Sequence, residues 1–369
     1  MQTTIQRVQF PDDRRILMIS DLHGHTSGLR ALLEEAGFSE QDVLVIVGDF
    51  VEKGPESLQT IRYVMELSRK HTVYPLMGNV DLWRVECLFS DDPAVQLDMV
   101  AYSLKALKWW SSSFLGELCE ELGVALSMEM DTQAVFSRIR THFEKELSFL
   151  SHLPTILETQ RMIFVHGGIP HERLDELEGT PAHPLMKRDH FMEEGLSFQK
   201  YVVVGHWPVA LYSQSHPCSN PVIDRTRHII SLDGGCGVKS DGQLNLLSIP
   251  CWQSEAFEYR TWNSLPVITA LEAQEASADC GYIRWGDHQV EVLESMGDKA
   301  RILHHGREML VPSDFLWEDK GRIYCDDYTD YRLPVSPGDR LSLLRTLPNG
   351  CYVKKDGMTG WYMGRYQSE

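Results

Sequence analysis

Within the first 250 residues, six side chains carry donor atoms that divalent cations accept, and each stands in a short turn bearing glycine. Asp21 and His23 lie in Asp21-Leu22-His23-Gly24. Asp49 follows Gly48, with Lys53-Gly54 just beyond. Asn79 lies in Gly78-Asn79-Val80-Asp81, and the last two are His166-Gly167-Gly168 and Gly205-His206. Carboxylate, neutral imidazole and amide oxygen suit borderline or hard divalent ions, and the set contains no thiolate. Two such ions roughly 3.5–4 Å apart can turn a bridging water into a nucleophile at neutral pH and clamp phosphoryl oxygens during in-line attack. Singly, each residue has a plainer role, such as an aspartate capping a helix or a histidine satisfied at a strand end. As an ordered set they read as phosphoester chemistry.

The elements that must position these residues are visible as apolar runs. ILMIS runs into Asp21, VLVIVG into Asp49, RMIFV into His166 and YVVVG into His206, while the shorter VYPLM precedes Asn79. Runs of this length, bounded by glycine and helix-like segments, mark strands buried on both faces. Ligands of open α/β sheets gather beyond the carboxyl ends of such strands, so five strand ends would converge. Strand 15–20 leads to a helix at about 27–37 with Leu29, Leu32, Leu33 and Ala36 on one face. Strand 43–48 leads to a helix at about 55–70 opened by Pro55, and strand 72–77 follows. Residues 82–152 show helical faces instead, one of Leu97, Val100, Leu104 and Leu107 and another of Phe136, Ile139, Phe143 and Leu147. This helical insertion leaves directly from the Asn79 turn. It is expected either to pack on the sheet or to cap the substrate pocket.

The order DxHG, GDxxxKG, GNxD, HGG, GH resembles the calcineurin-like metallophosphoesterases. Within them it is most similar to the phosphoprotein-phosphatase branch, which includes bacterial symmetrical dinucleoside tetraphosphatases. The resemblance covers roughly residues 14–81 and 149–250. It implies an α/β (α+β) fold, a β-sandwich flanked by helices, over a catalytic domain at 1–250. It also implies two divalent metal ions, with manganese first in expectation and iron or zinc as alternatives. Carried over, Asp21, His23 and Asp49 hold the first ion, and Asp49, Asn79, His166 and His206 hold the second. The implied activity is hydrolysis of phosphomonoesters, on a phosphoprotein or a phosphorylated small molecule of nucleotide type, by a metal-bridging hydroxide. The alternatives are a phosphodiesterase or dinucleoside polyphosphate hydrolase, or a weakly active relative serving as a binding or regulatory module.

The chain departs from the branch pattern at the proton donor. Where that pattern has a histidine between the asparagine and the acid, this chain has Val80, which cannot transfer a proton. General-acid help is typically worth about 10²–10⁴-fold, so poor leaving groups should suffer most. Glu52-Lys53 replaces the usual Asp-Arg, and Lys53 keeps the charge but loses the planar fork that grips phosphate. Arg188, in LMKRDH, is the candidate second phosphate clamp, and His25 a candidate substitute acid.

Composition narrows the class. A net charge of −18 disfavours broad binding to nucleic-acid backbones, which needs clustered Lys and Arg. Eight cysteines without a C-x-x-C pair suggest neither a zinc knuckle nor a disulfide framework. No apolar run approaches membrane-spanning length and MQTTIQRVQFPDDRR lacks a signal core, so a soluble cytoplasmic protein with no membrane partner is expected.

From about residue 251 the character changes and the chain repeats itself. Gly286-Asp287…Val290-Glu291-Val292-Leu293 recurs as Gly338-Asp339…Leu341-Ser342-Leu343-Leu344. Ala300-Arg301-Ile302…Gly306 then lines up with Cys351-Tyr352-Val353…Gly357. Short alternating strands with such turns read as small antiparallel barrels. They resemble Src-homology-type barrels, expected at 251–318 and 319–369. Such barrels often bind peptides through aromatic grooves, and a structural or dimerising role fits the pattern equally well.

Overall fold

The computed structural model describes residues 1–348 and 350–368. The chain divides into two compact units: Met1–Pro208 with Pro221–Asn263, and Val209–Asn220 with Ser264–Glu369.

The first unit contains two sheets. In one, Ile16–Ile19, Val43–Ile46 and Thr72–Pro75 run parallel, and Leu244–Ile249 and Glu258–Trp262 extend it antiparallel. The other has six strands in the order Ile5–Arg7, Ile156–Glu158, Met162–Val165, Tyr201–Val204, Ile229–Ser231, Val222–Asp224. Successive side chains of a strand point to opposite faces, and here each face is buried by something different. Ile16, Met18, Val43 and Val45 pack against Leu157, Phe164, Val203 and Ile230 of the second sheet. Leu17, Ile19, Leu44 and Ile46 pack against Leu29 and Leu32 of the helix Thr26–Glu35 and Ile61 and Val64 of the helix Ser57–Lys70. The result is an α/β (α+β) sandwich flanked by helices, and burial on both sides explains why the strands read as unbroken apolar runs.

The insertion consists of helices Asn79–Phe89, Pro93–Trp110, Phe114–Glu121, Thr132–His142 and Glu144–Ser151. It starts at Asn79 itself, because the third strand stops at Pro75. The expected stripe of Leu97, Val100, Leu104 and Leu107 is not the one buried. Pro93–Trp110 turns Gln96, Met99, Val100, Ser103 and Ala106 inward, leaving Leu97 and Leu107 exposed. The face Phe136, Ile139, Phe143 and Leu147 is buried as expected, though divided between two helices by a break at Phe143.

The break expected near residue 251 falls after Asn263, because Glu258–Trp262 pairs with Leu244–Ile249 and completes the catalytic sheet. The second unit is all antiparallel in its named sheets. One module contains the meander Glu291–Ser295, Lys299–His304, Arg307–Pro312 around a core of Ile283, Val290, Ile302, Val311 and Tyr328. The other contains Arg340–Leu347, Gly350–Lys355 and Met358–Tyr362, with Val267–Ala270 and Tyr366–Ser368 alongside, around Ile268, Leu333, Leu341, Val353 and Tyr362. The repeat seen in sequence is thus a repeated three-stranded meander. Both copies carry a register shift at matching places, Val292/Glu294 and Leu343/Arg345. The boundary expected at 318/319 does not separate the modules, since Val267–Ala270 joins the later strands while Leu316–Asp319 pairs with Arg322–Cys325. Among the described residues no helix is long and apolar enough to cross a membrane.

Candidate metal centre

The strand-end turns hold unusual backbone. Asp21, His23, Asp49, Glu52, Lys53 and His206 all have positive φ, from 41° to 70°. Such values are uncommon away from glycine and accumulate where the surrounding structure enforces them at functional sites. Two glycines allow the turns to close on one another. A Cβ on Gly48 would sit 2.6 Å from the Gly78 Cα, and one on Gly205 would collide with Oδ2 of Asp21. Main-chain N–H groups complete the fit: Val80 N–H donates to Asp49 Oδ1 at 2.9 Å and His206 N–H to Asp21 Oδ2 at 3.1 Å.

The six expected ligands are brought together. Donor atoms of Asp21, His23 and Asp49 all lie within 4.8 Å of one another, and all three residues are buried. His23 Nε2 is 3.6 Å from Asp49 Oδ2, whereas His166 Nε2 is 3.5 Å from Asp49 Oδ1. Asp49 therefore turns one oxygen to each side. Asn79 Oδ1 meets His166 Nε2 at 3.0 Å and His206 Nδ1 at 2.8 Å. Each histidine is oriented through its other nitrogen: His23 Nδ1 by the Val51 carbonyl (3.1 Å), His166 Nδ1 by the Val47 carbonyl (2.8 Å), His206 Nε2 by the Asp189 carboxylate (2.8 Å). An N–H committed outward in this way leaves the second nitrogen of a neutral ring to point its lone pair inward, the arrangement of metal-ligating histidines, and at His166 an ion would displace the proton that Asp49 and Asp21 hold there.

The charge balance also calls for cations. Asp21, Asp49, Asp81 and Asp233 are all buried, and Asp21 Oδ1 has no hydrogen-bond partner. Burial and the neighbouring carboxylates Asp233 and Asp49 push Asp21 well above the usual carboxylate range. Burial and the Asp49 charge raise Asp81 to about 7, and burial raises Asp233 to about 6. Burial works against ionisation of Asp49 too, but His166, His23 and Lys53 overcome it and hold Asp49 below the usual range. His166 shows the complementary effect: burial would lower it, yet Asp49 and Asp21 carry it up to about 10. His23 and His206 are lowered, chiefly by burial, to about 3 and about 4. A knot of buried carboxylates with an unpartnered oxygen and inward lone pairs fits divalent ions.

The remaining expected residues differ in placement. Lys53 reaches the centre, its Nζ 3.1 Å from His23 Nε2. Arg188 is engaged by Glu194 through Nε (2.7 Å) and Nη2 (2.5 Å), so gripping a phosphate would require it to exchange that carboxylate. His25 is held by the Leu22 carbonyl at 3.1 Å, and burial lowers its pKa. At position 80 only the main chain takes part, through its bond to Asp49.

Three acids that the sequence reading left without roles support the centre. Asp81 accepts N–H bonds from Phe50, Val51 and Gly78 and ties the second turn to the third. Asp233 follows the strand Ile229–Ser231, so its strand-end position was an available signal. Asp189 offered none, because only the folded loop brings it to His206. Glu52 is anchored in the insertion: its Oε1 accepts from Arg84 Nε (2.6 Å) and Phe114 N–H (3.1 Å).

A family model described as calcineurin-like phosphoesterase matches residues 14–231. The chain is similar to the symmetrical bis(5'-nucleosyl)-tetraphosphatase of Photorhabdus laumondii, with 26% identity over 289 residues, 68% of this chain and 98% of that protein. The namesake from Pseudomonas putida is 35% identical over 115 residues, 29% of this chain and 39% of its own length. Among solved structures, the cold-active protein-tyrosine phosphatase of a psychrophilic Shewanella species aligns over 71% of this chain and 83% of its own, with 13% identity and a TM-score of 0.42.

Proposed function

This chain belongs to the calcineurin-like phosphoesterase family, and from that premise we propose that it hydrolyses phosphate compounds whose leaving groups have low pKa. It is a metal-dependent hydrolase. Its substrates in our reading are nucleotide-type phosphates, the class to which the name of its tetraphosphatase relative points, and aryl phosphates, in preference to alkyl esters such as phosphoserine. Asp21, His23 and Asp49 hold one divalent ion, and Asp49, Asn79, His166 and His206 the other. We take both ions to be manganese, with iron or zinc as alternatives. When bound, such ions lower the pKa of a water and neutralise charge on the phosphoryl oxygens.

The observation that carries the substrate preference is that, among the described residues, the turn at Asn79 offers no free proton donor. In hydrolysis a water oxygen bonds to phosphorus, the bond to the leaving oxygen breaks, and that oxygen must depart as an anion or take a proton. Val80 has none to give. Asp81 has its oxygens occupied by three main-chain N–H groups, and His25 has its Nδ1 engaged by a carbonyl. Lys53 places a positive charge next to His23, where it attracts phosphate as a point charge. The test is a manganese-supported panel of aryl phosphate, phosphotyrosine, phosphoserine, dinucleoside tetraphosphate and aryl diester. Phosphoserine should trail by about 10²-fold or more, and Val80→His should narrow the gap. Equal turnover of phosphoserine and aryl phosphate by the natural chain would overturn the reading.

A further inference from the structure

We propose that Asp287, His304 and His305 form a transition-metal site of the zinc class in the first meander module of the second unit. Nothing in the phosphoesterase reading uses these residues. The hairpin Lys299–His304/Arg307–Pro312 closes on the pair His304–Arg307 and turns through His305-Gly306, with φ of 47° and 79°. Two successive left-handed residues are what a two-residue hairpin turn of the primed type needs. The turn sets the two imidazoles side by side, ring centres 4.3 Å apart. Asp287 arrives from a different segment, just after Gly286 (φ 85°). Residues distant in sequence thus meet: Asp287 Oδ1 lies 2.7 Å from His305 Nε2 and 3.4 Å from His304 Nε2. All three donor atoms fall within 4.8 Å of one another.

These distances suit one ion. Zinc holds imidazole nitrogen and carboxylate oxygen at about 2.0–2.2 Å in a tetrahedron, whose ligand–ligand edges are then roughly 3.4 Å. The 3.4 Å between His304 Nε2 and the Asp287 carboxylate already matches, and on binding an ion that nitrogen would give up its 3.1 Å bond to the Asp287 main-chain carbonyl. The shorter His305–Asp287 contact is a hydrogen bond, which opens by several tenths of an ångström when an ion replaces the proton. Two imidazoles with a carboxylate select zinc, copper, nickel or cobalt over magnesium or calcium. Among the described residues the two imidazoles are the only ion-pair partners of Asp287. His304 is nearly buried and His305 is 70% exposed, so a fourth position faces solvent. His288 does not supply it: its Nδ1 accepts the Gly286 N–H and its ring stacks on Trp285. The ion would staple the Gly286-Asp287 loop to the hairpin tip.

The test uses the full chain, stripped with a chelator and titrated with zinc, alongside His305→Asn and Asp287→Asn. Asparagine tolerates the left-handed turn, and an unchanged near-ultraviolet circular dichroism spectrum of the Trp- and Tyr-rich second unit reports that each variant is folded. The wild-type chain should take up about one more zinc equivalent than either variant, the increment of a single site. Cobalt(II) should give a tetrahedral visible spectrum in the wild-type-minus-variant difference. Equal zinc uptake by all three chains, or a featureless cobalt difference, would reduce the cluster to a hydrogen-bonded Asp–His–His group and overturn the proposal.

Discussion

Arg84→Ala should destabilise the first unit by about 3 kcal/mol, and the figure can be built from the surroundings of the side chain. Arg84 and Glu52 are both fully buried and meet at 2.6 Å. Removing one partner of a buried ion pair typically costs about 3–5 kcal/mol, because the other charge is left without compensation. Here Glu52 would retain only the Phe114 N–H. The guanidinium also lies 3.9 Å from the ring centre of Trp83 and 4.3 Å from that of Tyr102, contacts worth roughly 0.5–2 kcal/mol. Against this, Nη1 and Nη2 are buried without an acceptor, and removing unmet donors returns about 1–3 kcal/mol. The balance falls at the low end of the range for broken pairs. Urea unfolding of Arg84→Ala, Glu52→Gln and the combination Glu52→Gln/Arg84→Ala should show the double variant less destabilised than the sum of single changes. A second readout separates support of the centre from bulk stability. Glu52 and Lys53 are both left-handed, with φ of 70° and 69°, so a loosened Glu52 releases Lys53 from His23. Aryl-phosphate turnover should therefore fall under conditions where Arg84→Ala remains folded. An Arg84→Ala chain within about 0.5 kcal/mol of wild type, the range of ordinary surface substitutions, would refute the reasoning.

Other outcomes follow from the same structure. Asp49→Ala should empty both positions of the dinuclear centre, since its two oxygens face opposite sides; two ions per chain by elemental analysis would refute the bridging role. A chain ending at residue 250 should lose stability relative to one ending at 263, because Glu258–Trp262 is an edge strand of the catalytic sheet; equal thermal midpoints would contradict this. Asp42 accepts from Arg15 Nε at 2.9 Å and Nη2 at 2.8 Å. Burial opposes its ionisation, but Arg15 and Ser39 hold its pKa below the usual value. The contribution is therefore present above the unfolded pKa near about 3.9 and lost as pH falls through the lower folded value. Asp42→Asn should reduce the acid-side loss of stability, and an unchanged pH profile would count against it.

The sequence by itself determined the parts that are local. Apolar runs ending in Asp21, Asp49, His166 and His206 announce strands covered on both faces, because such strands need no polar alternation. Donor type and order then announce a metal centre. The repeated Gly-Asp and Gly turns likewise announce a repeated antiparallel unit, read as two small barrels, since turn chemistry is written within a few residues. Tertiary structure alone decided the rest. Whether Leu97 or Met99 faces the core depends on how the helix Pro93–Trp110 is rotated against its neighbours, and apolar residues on two overlapping stripes cannot announce that. The edge strand Glu258–Trp262 has an exposed, polar pattern that reads as tail until its partner strand is known. That Arg188 is engaged by Glu194 is visible only in the fold, and Asp189 gained its role only from the loop that carries it to His206. A charged side chain's use is set by whatever oppositely charged or polar group comes within about 3 Å, and for residues far apart in the chain only folding brings that partner there.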